Sequence, residues 1–197
     1  AGKVMLKAGQ AVTLTLLPLF AHALTLAEIE QQLDPAPVLN ADFRQQQHLA
    51  MLSRPLVSTG SLLLIKGHGL QWQMKAPFTS DLKLIDGTLY SNGQADSLPG
   101  GDAFSRRLMM VLSGDFSALD NAFEIEASGQ PEQWTLTLEP RNATLKKVLH
   151  GLSVSGGRTP EQFRLNYPNG DYSVTTLSNI QLTDTPTDDE EQRLARP

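Results

Sequence analysis

The groups in this 197-residue chain that could do bond-making chemistry are few and badly spaced. His48, His68 and His150 are its histidines beyond the first twenty-two residues, and none lies three or four positions from another, as ligands sharing one helix face would. His68 stands between Gly67 and Gly69, the setting of a solvated turn. Asp184, Asp188, Asp189, Glu190 and Glu191 offer oxygens to a hard cation, but such a run is more often a solvated tail. Gly151-Leu152-Ser153 is not a nucleophile elbow, and no glycine-rich phosphate loop is present. Asn142-Ala143-Thr144 fits the glycosylation pattern, which has no meaning in a bacterial protein. With no cysteine there is no thiolate nucleophile, disulfide, thiolate metal site or thioether-linked lipid. The residues therefore predict no catalytic group, no metal ligand and no cofactor.

Charge narrows the partners. Sixteen basic and 21 acidic residues give a net charge of −5, and Arg106-Arg107 and Lys146-Lys147 are isolated doublets, so a nucleic-acid partner is not expected. The N-terminus has the three parts of a secretory signal: Lys3 and Lys7, an apolar run from Ala11 to Phe20, and Ala21-His22-Ala23 as a cleavage site. The run is shorter than the ~20 residues of a spanning helix, and Pro18 interrupts its end. We expect Met5 to be the natural start, residues 1–23 a cleaved leader, and the mature protein a soluble periplasmic one, where disulfides are permitted but not required.

The elements that follow are mainly strands. Leu24–Leu33 reads as an amphipathic helix, with Leu26, Ile29 and Leu33 at helical spacing and Thr25 with Glu28 as a capping box. Strand patterns cover 38–51, 57–66, 69–76, 80–85 and 88–91, with Gly67-His68-Gly69 and Asp86-Gly87 as turns; connections so short make an antiparallel meander. Leu70, Trp72 and Met74 alternate with Gln71, Gln73 and Lys75, the pattern of a sheet with one dry and one wet face. After a Gly- and Pro-rich loop at 96–102, helical patterns occupy 104–112 and 116–123. Strands resume at 123–127, 134–139, 151–155, 162–167 and 172–182, with a helical turn within 141–149 and a hairpin turn at Pro168-Asn169-Gly170-Asp171. Residues 24–183 read as one α+β, mainly β domain, and residues 184–197 as an acidic, flexible tail.

This order of motifs resembles the LolA family of periplasmic outer-membrane lipoprotein carriers. The residues carrying the resemblance are the early helix, Phe43-Arg44-Gln45, Gly60, Leu70-Gln71-Trp72, Ala76-Pro77, Asp86-Gly87-Thr88-Leu89-Tyr90, the helical insertion and Trp134-Thr135-Leu136. The resemblance implies an unclosed, curved antiparallel β-barrel with a helical lid over an apolar cavity. Family members typically place a basic residue and Pro at the end of the second strand; here Lys66-Gly67 stands there, with a point charge in place of a planar fork. The departure marks a divergent member and makes Lys66 the lid-latch candidate. A sibling receptor lipoprotein would need an N-terminal cysteine, which this chain lacks.

Together, alternation and resemblance select the cavity residues: Phe43, Leu62, Leu64, Leu70, Trp72, Met74, Leu82, Leu84, Trp134, Leu136, Leu138, Phe163 and Leu165. The lid would be Leu26, Ile29 and Leu33 with Leu108, Met109, Val111 and Leu112. For any one of these residues ordinary helix-on-sheet core packing is the more usual fate, and it is the resemblance that favours a cavity for the set. The Met109-Met110 pair suits a surface that accepts varied apolar guests, or a plain buried helix. The function expected is a monomeric carrier of acylated lipoprotein or lipid, loaded by an inner-membrane donor complex and emptied to an outer-membrane acceptor. Its alternatives are an enzyme on the same fold acting on an apolar substrate, and a lipid-sensing periplasmic domain.

Overall fold

In a computed structural model, residues 22–95, 107 and 109–197 are described; most of the proposed leader and Leu108 of the proposed lid lie outside them. Helix α1 (Leu26–Gln32) opens on the capping box expected of Thr25 and Glu28: the Thr25 hydroxyl accepts from the Glu28 backbone N–H, and the Glu28 carboxylate accepts from the Thr25 backbone N–H at 2.8 Å. The bonds that Thr25 donates to this carboxylate, first from its backbone N–H and then from its hydroxyl at 3.0 Å, hold the Glu28 carboxyl below its ordinary pKa.

Six strands follow as a meander: β1 (Val38–His48), β2 (Leu56–Ile65), β3 (Gly69–Ala76), β4 (Ser80–Ile85), β5 (Thr88–Ser91) and β6 (Gln94–Ala95). Asp86-Gly87 joins β4 to β5 with φ of 47° and 84°, the paired positive values of a tight hairpin turn. Asn92-Gly93 repeats the device, at 50° and 83°, between β5 and β6, a hairpin not anticipated from the sequence although Asn-Gly is the strongest short-range signal for one. Residues 109–112 are helical (α2), and a 3₁₀ turn at Ser117–Leu119 follows. The helix expected over 116–123 shrinks to that turn, because β7 begins already at Phe123. A second meander comprises β7 (Phe123–Gln130), β8 (Gln133–Pro140), β9 (Gly151–Gly156), β10 (Pro160–Asn166) and β11 (Tyr172–Thr183). Between β8 and β9, Asn142 caps the short helix α3 (Ala143–Lys146), its side-chain oxygen accepting from Leu145 N at 2.8 Å.

The two meanders join where the first and last strands pair. Strand order is β6-β5-β4-β3-β2-β1-β11-β10-β9-β8-β7, antiparallel throughout, so among the described residues β6 and β7 are the outermost strands and the sheet does not close. Bulges interrupt the register at three places and add twist. At one of them Asn179 and Ile180 of β11 face the single residue Ala41 of β1; Asn179 takes a φ of 50° and donates from Nδ2 to Asp42 at 2.7 Å.

Both faces of the sheet are dry along β2. Leu62 and Leu64 join the main core with Ile29, Phe43, Val111, Phe116, Trp134 and Leu177, while Leu63 and Ile65 point to the outer face and pack with Val38, Ile85 and Leu194. The outer cluster overturns the expected flexible tail. Residues Asp188–Arg193 form α4, capped by Thr187 and Glu190, and Leu194 behind it is wholly buried. Four acids in the first turn and Arg193 in the last complement the helix dipole. A six-residue helix is not stable alone; it forms because the sheet holds it. Asn40 donates to Glu190 at 2.6 Å, and Arg193 donates to Gln71 at 2.8 Å; Gln71, itself buried, donates to Asp81.

Candidate functional site

The inner face divides into a filled half and a hollow half. On the filled side Trp134, Leu136 and Leu138 of β8 and Val154 of β9 are fully buried. Phe116 stands edge-on to Trp134 at 5.5 Å, and the indole N–H donates to the Gly157 carbonyl at 2.8 Å. On the hollow side lies a cavity of about 330 Å3. Leu70, Trp72 and Met74 of β3, Leu82 and Leu84 of β4, Leu89 of β5 and Phe163 and Leu165 of β10 form its apolar walls, and Leu112 of α2 reaches it from above. In the sheet order β4 and β10 are five strand spacings apart, about 24 Å if the sheet were flat. Only strong curvature lets them line one hollow.

The residues singled out from sequence thus part company. Leu70, Trp72, Met74, Leu82, Leu84, Phe163 and Leu165 reach the cavity. Leu62, Leu64, Trp134, Leu136 and Leu138 do not: they are core, a correction to their selection as lining. Phe43 also misses it, being buried behind Trp72, whose ring stacks on it at a centroid distance of 4.1 Å. Alternation gives the face of a residue but not what sits opposite; the 3₁₀ turn and α1 fill one half of the trough and leave the other. Of the lid, Ile29, Val111 and Leu112 are buried in the main core, and Leu26, Leu33 and Met109 pack partly buried against it.

One wall was missed altogether. Gln45 of β1, Ser173 and Thr175 of β11 and Tyr167 beyond β10 bring polar groups to the cavity floor where the two meanders meet. The alternation of Ser173, Thr175 and Leu177 carried the signal, but small hydroxyl residues read as ordinary strand formers.

Lys66 lies at the end of β2, half-buried, and its ammonium donates to the Asp34 backbone carbonyl at 3.1 Å. Burial lowers its pKa, and the negative charge of Asp34 opposes that shift. Arg158, from the turn between β9 and β10, pairs with the Asp34 carboxylate at 2.6 Å, and Gln32 donates to the Gly157 carbonyl at 2.8 Å. The lysine therefore grips the segment that follows α1. It also borders a second hollow, of about 530 Å3, with His68, Leu84, Asp86, Met109 and Met110.

Among the described residues no three His, Cys, Asp or Glu side chains converge as metal ligands, and no helix is long and apolar enough to cross a membrane.

Residues 20–177 match the family model described as outer membrane lipoprotein carrier protein LolA-like. No curated protein matches the chain. Among solved structures it is similar to a LolA superfamily protein, NE2245, from Nitrosomonas europaea, at 10% identity and a TM-score of 0.46 over 86% of this chain and 95% of that one. It is also similar to MucB, at 11% identity and a TM-score of 0.49 over 84% of this chain and 60% of that one. A putative outer membrane lipoprotein-sorting protein domain from Vibrio parahaemolyticus aligns at 8% identity and a TM-score of 0.39, over 84% and 94% of the two chains.

Proposed function

Since the chain belongs to the outer membrane lipoprotein carrier protein LolA-like family, we propose that it is a periplasmic carrier holding the acyl chains of lipoproteins or other lipids in the cavity beside Trp72. The observation that carries this reading is an apolar hollow on the inner face of the sheet, walled by Leu70, Trp72, Met74 and Leu82 and topped by Leu112. Its volume of about 330 Å3 falls in the range of small-ligand sites. No reaction on the cargo and no cofactor belongs to this mechanism; it acts as a monomer between an inner-membrane donor complex and an outer-membrane acceptor.

Burial of each methylene contributes about 0.8 kcal/mol, so one long acyl chain offers on the order of 10 kcal/mol before ordering costs. Several chains gripped in full would not be released. A hollow only partly matched to its cargo, under a lid whose displacement from the core costs energy, weakens the grip. Net movement then follows the affinity difference between carrier and recipient.

Mass spectrometry of whatever extracts from the protein purified from a native periplasm tests the reading. Stoichiometric acylated material, lost in Leu70→Gln, supports it. Protein that neither carries nor accepts any acylated molecule overturns it.

A further inference from the structure

Ser173 lies only 2% exposed on the inner face of β11, and among the described residues its hydroxyl meets no hydrogen-bond partner. It is the one buried side-chain polar atom so orphaned among them. Buried polar groups in native proteins are nearly always satisfied, and an orphan is costly to keep, so each one requires an explanation. This one borders the cavity. Gln45, Tyr167 and Thr175 line the same hollow, and Gln45 and Thr175 are direct cross-strand partners. Facing them across the cavity are Leu70, Trp72 and Leu82, which offer no hydrogen bond except through the Trp indole. The hollow is two-sided: β1 and β11 bring polar side chains to it, while β3 and β4 bring mainly apolar ones, with Ser80 at the start of β4 the polar exception.

A pure hydrocarbon gains nothing from such a wall and leaves its donors dry. A ligand with an acceptor at the head of an alkyl chain satisfies it. Resting on the carrier reading above, we propose that the β1–β11 wall is a subsite for the carbonyl oxygen of an ester- or amide-linked acyl group, with the Ser173 hydroxyl as donor. The alkyl chain then runs along Leu70, Trp72 and Met74. A serine hydroxyl turns freely about its Cβ–Oγ bond and can donate to an acceptor brought to this wall. The oxygen is shielded from water before loading, so the ligand parts the side chains over it as it enters. The site therefore selects acylated molecules over alkyl ones of the same length and polarity.

The test uses the full chain and two probes that differ only in the carbonyl, 1-palmitoyl lysophosphatidylcholine and its 1-O-hexadecyl ether, titrated below their micellar concentrations by calorimetry. Wild type is expected to bind the ester about three- to tenfold more tightly, the effect of one added hydrogen bond. Ser173→Ala is expected to erase that preference, bringing the ester-to-ether affinity ratio to about one. Equal affinities in wild type, or a preference that survives in Ser173→Ala, overturn the subsite while leaving the carrier reading standing. If Ser173→Ala does not fold, the wild-type comparison alone decides. Binding of neither probe overturns the subsite, and the carrier reading falls with it only if the natively purified protein also carries no acylated material.

Discussion

The Lys66 ammonium donates to the backbone carbonyl of Asp34, 32 residues earlier and just past the end of α1, at 3.1 Å. Arg158 holds the carboxylate of the same aspartate from the far side of the sheet. One residue after α1 thereby ties the β2 end of the first meander to the β9–β10 turn of the second, and it anchors α1 over the inner face.

Lys66→Met removes one grip on that segment and is expected to speed amide exchange across 26–34 while the sheet keeps its protection. The same variant isolates a pH effect. Burial lowers the folded-state pKa of Lys66, so between that value and the ordinary 10.5 the unfolded chain binds the extra proton and stability rises with pH. The contribution is complete above 10.5 and is lost as pH falls through the folded value. Urea titrations across this window should show a rise in wild type that is smaller in Lys66→Met.

The two tryptophans are expected to separate binding from stability. Trp72 lines the cavity and is half-buried; Trp134 is wholly buried beneath Phe116. Trp72→Ala should abolish acyl loading and leave the protein folded. Trp134→Ala should cost about 3–5 kcal/mol in denaturant unfolding, the usual loss for a core aromatic. Equal stability losses in both would refute the division of the inner face.

Leu194 fills a socket of Val38, Leu63, Ile65 and Ile85. Leu194→Ala is expected to weaken α4 docking by about 2–5 kcal/mol. The result should appear as lost amide protection over 188–194 before any loss in the sheet.

Acid should undock the same helix. Glu190 has its pKa held down chiefly by the Thr187 backbone N–H, with help from Asn40. A carboxylate so depressed contributes stability above its unfolded value of 4.5 and loses it as pH falls through the folded one. Proteolysis of the C-terminus should accelerate below about pH 4.5 in wild type. Glu190→Gln should flatten that dependence.

Gly60 faces Phe43 across β1 and β2 at a bulge opposite β3. A Cβ there would overlap the Gln73 carbonyl oxygen and touch the Phe43 ring at 2.8 Å. Gly60→Ala should cost about 1–3 kcal/mol, as overpacking does, and disturb the Phe43–Trp72 stack. A melting curve and near-ultraviolet circular dichroism report both effects.

Much of the architecture was written locally. Thr25 and Glu28 mark the start of α1, Asp86-Gly87 forces a two-residue hairpin, and the alternation of Leu70, Trp72 and Met74 places three side chains on one face. These rest on interactions within a few residues, so the sequence alone determined them. What faces each side chain depends on contacts from far along the chain. Trp134 and Trp72 share a pattern, yet Phe116 covers one and leaves a hollow beside the other. The acids of 188–191 look like a solvated tail until Leu194 finds a socket on strands more than a hundred residues away. Ser173 reads as any strand serine until β1 pairs with β11 and curls it under the cavity. Curvature and cover are properties of the whole sheet, and only the tertiary structure decided them.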